Sequence, residues 1–251
     1  MTDRLTSYLK KISFINGAAL KWIAVITMLI DHFAIAVFIS MRIPHGKMDI
    51  YNTLRSIGRI AFPIYIFLLC EGFRHTKNIK KYLFRLFIFA LVSEIPFDLA
   101  VYGKIWSYRT QNVFFTLFLG LAAITLCRKI KHYLETSPNI TYEYADMFYR
   151  IIFTVIVALT AIFAELLKTD YGPVGILAII SASLFPLYPK ISMIPCCTAL
   201  LLSGKLEKWA FLALIPIFFY NGKRGRQFKY FFYAVYPLHL LIFFLIRYYL
   251  L

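Results

Sequence analysis

The stretch LKWIAVITMLIDH, residues 20–32, decides the fold class of this chain. It begins an apolar run over 22–41, and a helix that crosses the hydrocarbon of a bilayer needs about 20 such residues. The run carries an acid and an imidazole, Asp31 and His32, near its middle. Ionisable groups at that depth cost about 2.5–3.5 kcal/mol each on insertion scales, so they normally face a cavity or a partner. The stretch therefore predicts a membrane-spanning helix that carries a functional site.

The composition of the whole chain also indicates a membrane protein. Of its 251 residues, 61% are hydrophobic and 16% are charged, whereas a soluble domain has about half and about a quarter. A water-soluble fold of this composition would expose large apolar patches. The four cysteines lie inside apolar runs without metal-ligand spacing, which is typical of small buried side chains, so we expect no metal site. The composition excludes a disordered chain, a disulfide scaffold and an ordinary cytosolic enzyme.

Eight further apolar runs predict the architecture. Five of them are close to the length of a full crossing: 57–73, 82–102, 112–127, 147–168 and 230–250. Prolines and a glycine divide the next stretch into three short spans, 172–188, 190–203 and 207–220. The sequence predicts an all-α, polytopic transmembrane bundle of about nine spans, with eight to ten compatible with the pattern, in a single domain over 1–251.

Basic residues predict the orientation. The chain has 28 lysines and arginines against 12 acids, a formal net charge of +16. In a soluble protein this excess would suggest nucleic acid, but here the bases lie in short loops between apolar runs, so we expect no nucleic-acid partner. With the amino terminus in the cytoplasm, 18 of the bases are inside and nine outside. The bias predicts a cytoplasmic amino terminus, cytoplasmic loops over 74–81 and 221–229, and contact with anionic lipid.

Other ionisable residues at membrane depth are candidates for the same site. His239 lies about nine residues into the last span and His32 about ten into the first, which places both about 15 Å deep. With nine spans these two helices run in the same direction, so the histidines would line one cavity. Glu94 and Asp98 are four residues apart and share a helix face.

Structural explanations compete with these functional ones. A histidine alone in a span is commonly an interhelical hydrogen-bond partner, which applies to His239. Glu71 and Arg74 are spaced as an ion pair at the end of a helix. Asp31 and His32 give the strongest functional signal, because an acid beside an imidazole at mid-depth is costly unless it handles protons, metal or substrate.

The sequence resembles the TraX family of bacterial membrane proteins. The resemblance rests on residues 20–32 together with 58–67 (GRIAFPIYIF), 71–76 (EGFRHT), 94–98 (EIPFD), 111–116 (QNVFFT), 170–172 (DYG) and 236–239 (YPLH). These blocks follow one another in order over nearly the whole chain. The best-known member of the family is similar to an acetylase that modifies the amino terminus of conjugative pilin.

More remotely, the chain is similar to acyltransferase family 3 and the wider transmembrane acyltransferases. Those enzymes carry a first-helix arginine, ten further residues and then a histidine, and Lys21 and His32 have the same interval. The resemblance implies a bacterial plasma-membrane enzyme that takes acetyl-CoA from the cytoplasm. It implies an acceptor reached from the other face or within the bilayer.

The residues suit this chemistry. Acetyl transfer from a thioester to an amine or hydroxyl needs a base, and a neutral histidine near pH 7 suits that task. We expect His32 to be the base and Asp31, Glu94 or Asp98 to orient it. We expect His239 to be a second proton carrier or a donor to the oxyanion. The phosphates of coenzyme A need basic partners, and the candidates are Lys21, Arg59, Arg74, His75, Lys223, Arg224 and Arg226.

Two other functions stay open from the sequence. Histidines and carboxylates at mid-depth also form the proton relays of transporters, although no repeated halves are visible. A non-enzymatic assembly factor that holds a pilin or another surface protein is the third reading. For an acetyltransferase, the acceptor candidates are a pilin or other peptide amine, a glycan and a small molecule.

Overall fold

A computed structural model describes residues 13–41, 48–138, 141–226 and 229–250, and these ranges are helical apart from their connections. The α-helices are α1 (Gly17–Ala36), α2 (Met48–Gly58), α3 (Ala61–His75), α4 (Ile79–Tyr102), α5 (Val113–Thr136), α6 (Tyr142–Leu166), α7 (Gly172–Ser183), α8 (Met193–Leu200), α9 (Leu214–Phe218) and α10 (Lys229–Leu250). Segments of 3₁₀-helix cover Phe38–Ser40, Leu201–Ser203 and Lys205–Ala213. The predicted all-α fold class is confirmed.

Asparagine caps explain where several helices begin. The side chains of Asn16, Asn78 and Asn112 accept hydrogen bonds from backbone N–H groups in the first turns of α1, α4 and α5, groups that have no partner inside the helix. Gly103 caps the carboxyl end of α4, and its φ of 66° is the left-handed conformation that glycine adopts without strain.

Within the described ranges, five helical segments are long and apolar enough to cross a membrane: Gly17–Ser40, Met48–His75, Val113–Thr136, Tyr142–Leu166 and Phe231–Leu250. The predicted span 82–102 lies within α4, a helix of 24 residues. The three predicted short spans after Gly172 correspond to α7, to α8 with its 3₁₀ extension, and to the Lys205–Ala213 segment with α9. The count of nine spans stays a prediction, and so does the orientation.

Two boundaries differ from the sequence prediction. Helix α1 begins five residues before the predicted span because Asn16 caps it there, so His32 lies only four residues before its last residue. A separate helix, α2, precedes the predicted second span, and the chain turns at Arg59 and Ile60 before α3 begins. Helix α2 is short and largely polar, which is why no apolar run predicted it.

The burial pattern separates the core from the outer surface. Residues 0% or 1% exposed include Leu20 on α1, Ile64 and Phe67 on α3, Leu121 on α5 and Ile176 on α7. Helix α6 lies at the periphery, since only 6% of its apolar window is buried against 56% for Met48–His75. Apolar side chains exposed on this scale face lipid in a membrane protein.

The helix ends gather at two ends of the bundle. At the first, which we call the basic end, Ile15 N–H donates to Phe219 (3.0 Å), Gly17 N–H donates to Lys223 (2.8 Å) and the Tyr220 hydroxyl donates to Glu71 (3.1 Å). At the other, which we call the cavity end, residue 111 forms an isolated parallel bridge with residue 169. Helices α1 and α10 run parallel between the two ends, because Trp22 packs on Phe232 and Phe33 packs on Phe243.

Candidate active site

A cavity of about 230 Å³ lies at the cavity end of the bundle, between α1, α2, α3, α4 and α10 and the segments that precede α5 and α7. Its polar lining combines one histidine, two arginines, two aspartates, several tyrosines and a threonine. These residues are Asp31, His32, Arg55, Arg59, Tyr65, Tyr102, Thr110, Asp170, Tyr171 and Tyr236. Three residues predicted for the site, Asp31, His32 and Arg59, therefore line one space.

Asp31 is held by two arginines. Arg55 Nη1 donates to Asp31 Oδ2 at 2.6 Å, and Arg59 Nη2 lies 2.8 and 2.9 Å from the two carboxylate oxygens. Asp31 is only 7% exposed, and a buried carboxylate is tolerated when charged hydrogen bonds replace its water. The arginines come from α2 and from the turn between α2 and α3, so Asp31 ties both to α1.

This pairing depends on a glycine. A β-carbon added at Gly58 would lie 2.1 Å from Asp31 Oδ1, far inside van der Waals contact. The absence of a side chain at Gly58 lets the end of α2 approach α1 closely enough for Arg55 and Arg59 to reach the same carboxylate.

Arg59 is the centre of a larger network. Its Nη1 also donates to Glu207 at 2.8 Å and to the Tyr171 hydroxyl at 3.2 Å, while Nε donates to the carbonyl of Arg55 at 3.3 Å. Glu207 is 4% exposed and comes from the 3₁₀ segment Lys205–Ala213. Two guanidinium groups thus face two carboxylates, and the network is neutral as a whole.

The two candidate histidines contact each other. His32 Nδ1 lies 2.6 Å from His239 Nε2, and their ring planes differ by 7°. His239 Nδ1 lies 2.7 Å from the carbonyl oxygen of Val235, which can only accept, so Nδ1 carries the proton. In a neutral pair, His239 Nε2 then accepts the Nδ1 proton of His32. This chain leaves the Nε2 lone pair of His32 as the basic atom of the pair.

Asp170 lies on the wall formed by the segment that precedes α7. Burial raises the pKa of its carboxyl to about 6, while the positive charge of Arg59 acts in the opposite direction. Its backbone is held from two sides: the Thr116 hydroxyl donates to its carbonyl, and its N–H donates to the carbonyl of Gln111 at 2.9 Å. No salt bridge involves Asp170 within the described part of the chain.

Glu94 and Asp98 lie outside the cavity wall. Glu94 accepts from the backbone N–H of Asn112 (3.2 Å) and from its side chain (2.5 Å), and Asp98 accepts from the backbone N–H of Ser107 at 2.7 Å. Both carboxylates therefore hold the 103–112 connection against α4. Gln111 in this connection pairs with the backbone of Lys168 and Asp170. Glu94 and Asp98 therefore affect the cavity indirectly, by positioning the chain segments that form its wall.

Most of the predicted donor-binding residues lie at the basic end, away from the cavity. Arg74 and His75 both approach Glu71, and His75 does so at 3.7 Å. Lys223 and Arg224 pack their backbones against Gly17, and Arg226 follows on the exposed connection to α10.

Lys21 lies on α1 between the residues of the basic end and those of the cavity. Its ammonium is 5.5 Å from the centre of the Phe232 ring on α10. Eleven residues correspond to about three helical turns, so Lys21 and His32 share one face of α1 and lie about 16 Å apart.

Sequence reasoning missed three members of the site. Arg55 and Glu207 are not among the predicted site residues, and Tyr171 occurs in the sequence analysis only within the block 170–172. The signals available were the four-residue spacing of Arg55 and Arg59, which places them on one helix face, and an isolated acid inside an apolar stretch.

No three His, Cys, Asp or Glu side chains are grouped as metal ligands in the described residues. The four cysteines are all buried and unpaired.

Fold and site together define a class: a helical protein whose described residues include five segments long and apolar enough to cross a membrane, with a histidine pair and a paired-charge network at one end of its bundle. The chain belongs to the TraX family, because the family model described as TraX protein matches residues 16–247. It is also 30% identical over 240 residues to the probable fimbrial assembly protein FimC, serogroup H1, of Dichelobacter nodosus, an alignment that covers 88% of this chain and 91% of that protein. No solved structure matches the chain.

Proposed function

We propose that this protein is an integral membrane acetyltransferase of the bacterial plasma membrane that moves an acetyl group from cytoplasmic acetyl-CoA to an amine or hydroxyl acceptor. The observation that carries the proposal is the His32–His239 pair, whose hydrogen bonds leave His32 Nε2 as the basic atom of a residue that lines the cavity. A positioned neutral imidazole is the usual general base of acyl transfer.

The reaction assigns a role to each group. His32 Nε2 removes the proton from the acceptor as its nitrogen or oxygen attacks the thioester carbonyl carbon. The new C–N or C–O bond forms, the C–S bond breaks, and the coenzyme A thiolate leaves with the proton returned from His32. His239 keeps the other His32 nitrogen protonated throughout, so the base stays in one tautomer.

The arrangement of charge supports donor and acceptor entering from opposite ends. The phosphates of coenzyme A need charge-assisted donors, and Lys21, Arg74, His75, Lys223, Arg224 and Arg226 lie toward the basic end. Arg59 has its N–H groups engaged inside the site and is the weakest member of the predicted donor-binding set. The stretch of α1 from Lys21 to His32, about 16 Å, is a distance that an extended pantetheine arm can span.

The acceptor would reach His32 from the cavity end. With a cytoplasmic amino terminus this end faces outward, where surface proteins are assembled. The name of the D. nodosus relative connects that protein with fimbrial assembly, and a pilin amino terminus is accordingly the first acceptor to test.

The proposal is tested with the purified chain in liposomes. Acetyl-labelled acetyl-CoA is supplied with a hydrophobic peptide that has a free amino terminus, with the same peptide blocked, with an amino sugar, or with a membrane extract. We expect time-dependent release of free coenzyme A and a labelled product with at least one unblocked acceptor. His32→Asn should abolish both, whereas His132→Asn, on the exposed surface of α5, should change neither.

The relative's name also favours a second function, that of an assembly factor without catalysis. In that case the wild-type chain would still associate with its surface protein, but no acceptor would become acetylated. His32→Asn would then leave assembly intact in cells, which the acetyltransferase proposal does not predict if acetylation is needed for assembly.

A further inference from the structure

The two arginines that hold Asp31 differ in how many of their hydrogen-bond donors the protein uses. A guanidinium group has five N–H donors. Those of Arg59 go to the Arg55 carbonyl, the Tyr171 hydroxyl, Glu207 and both oxygens of Asp31, so all five are engaged. Arg55 has one bond, from Nη1 to Asp31. Among the described residues its other four donors have no partner.

Arg55 is also placed where a ligand can use those donors. It lines the same cavity as His32. Its Nη1 lies 2.6 Å from Asp31 Oδ2. This contact holds the guanidinium in place and uses only one of its donors. Arg59 therefore has a structural role in the site, whereas Arg55 is positioned by Asp31 and keeps donors for a ligand.

The charge balance of the network indicates which kind of ligand group the free N–H donors of Arg55 bind. Because Asp31 and Glu207 already balance the two guanidinium groups, a phosphate would add uncompensated negative charge to this buried network. A thioester is neutral when it binds and becomes negative only at its carbonyl oxygen while the acceptor attacks. Fixed donors next to a developing oxyanion are the arrangement that lowers such a barrier.

We propose that Arg55 is a catalytic residue, which rests on the proposed acetyl transfer: its free N–H groups stabilise the oxyanion formed on the acetyl carbonyl oxygen. As the acceptor bonds to the carbonyl carbon, the C=O π electrons move to oxygen and His32 takes the acceptor's proton. When the C=O bond re-forms, the C–S bond breaks and the thiolate leaves. Arg55 itself neither gains nor loses a proton.

The test compares Arg55→Ala with the matched control Arg150→Gln, which removes an exposed guanidinium on α6. The assay is acetyl transfer in liposomes with the best acceptor. We expect Arg55→Ala to lower kcat about 100-fold or more, the scale for losing an oxyanion donor, with little change in either KM. Added guanidinium should restore part of the rate of Arg55→Ala but not change Arg150→Gln.

Each outcome decides the assignment. Rescue by guanidinium supports it and also shows that Arg55→Ala is folded, since an unfolded chain would not recover. If Arg55→Ala keeps its kcat, if only the KM for the acceptor rises, or if guanidinium restores no rate to an Arg55→Ala protein that purifies in normal yield, the oxyanion role is wrong while the acetyltransferase proposal stands. If the wild-type chain transfers no acetyl group to any acceptor, the proposed function fails and this role fails with it.

Discussion

At the scale of single residues, the contact between His32 and His239 yields the sharpest prediction. His239→Phe keeps a planar aromatic ring but removes the acceptor for the Nδ1 proton of His32, so the base is no longer held in one tautomer. We expect kcat to fall roughly tenfold to a thousandfold with unchanged KM for acetyl-CoA, and His32→Ala to lose about a hundredfold or more. Initial rates in liposomes measure both.

These histidine variants also separate a structural role from a chemical one. The His32→Ala protein should still insert and purify in normal yield. Loss of protein instead of loss of rate would identify His32 as a structural residue, and a fully active His239→Phe would show that the pair is not used as a unit.

Asp170 allows a second prediction at this scale, on stability. Its pKa is raised by burial to about 6, whereas an aspartate in an unfolded chain titrates near 3.9. The folded state therefore binds the proton more tightly, and stability falls as the pH rises from about 4 to about 6 and stays lower above it. Asp170→Asn removes this loss. The two pKa values differ by about 2, which corresponds to about 3 kcal/mol, so the melting temperature of Asp170→Asn in detergent should exceed that of the wild type by roughly 6–11 °C at pH 7.5.

The same variant supplies its own control. Below about pH 3.9, where Asp170 is protonated in the folded and the unfolded chain alike, the two melting temperatures should converge. An equal difference at both pH values would mean that the change acts through packing, not through the charge.

At the scale of elements, the 103–112 connection links two carboxylates of α4 to the cavity. Asp98 is 1% exposed and accepts from the N–H of Ser107, and Gln111 further along the same connection pairs with the backbone of Asp170. Asp98→Ala leaves that N–H without its acceptor and loosens the wall that carries Thr110 and Asp170. We expect a higher KM for the acceptor with a smaller change in kcat.

The control for this variant is Asp146→Ala, which removes an exposed acid on α6 and should alter neither constant. A loss of kcat with both KM values unchanged would instead favour the earlier expectation that Asp98 orients the catalytic histidine directly.

At the scale of the whole molecule, the separation of the basic end from the cavity end predicts the sidedness of the protein. Single cysteines placed at Lys77 and Lys223, in a variant without the four buried native cysteines, should resist an impermeant thiol reagent in intact cells. A cysteine at Tyr108, in the exposed connection at the cavity end, should react. Reaction at Lys77 or Lys223 would reverse the predicted orientation.

The same separation predicts where the donor is recognised. Neutralising Arg74, or Lys223, Arg224 and Arg226 together, should raise the KM for acetyl-CoA more than it lowers kcat, because phosphate contacts are alike in the ground and transition states. Added salt should weaken donor binding in the wild type and do so less in the variants. Lys208→Gln, in the segment that carries Glu207, is the control. If the variants bind acetyl-CoA as tightly as the wild type over a salt series, these loops serve only to set the membrane topology.

Much of the architecture follows from the sequence. Long apolar runs can satisfy their backbone hydrogen bonds in a bilayer only as helices, so the all-α fold class was predictable from local pattern. Ionisable residues inside those runs stand out for the same reason, because each one needs a partner or a cavity. The pairing of His32 with His239 was accessible as well, since two parallel helices bring residues of similar depth together.

Tertiary structure alone decided which charge pairs with which. The predicted orienters Glu94 and Asp98 share a helix face, but that face packs on the 103–112 connection. Asp31 instead meets Arg55 and Arg59 because Gly58 lets α2 approach α1. Glu207 reaches Arg59 from a segment 148 residues away in the chain. Periodicity fixes neighbours within a few turns of one helix, whereas contacts across the bundle depend on how all the helices pack, and that information is not local.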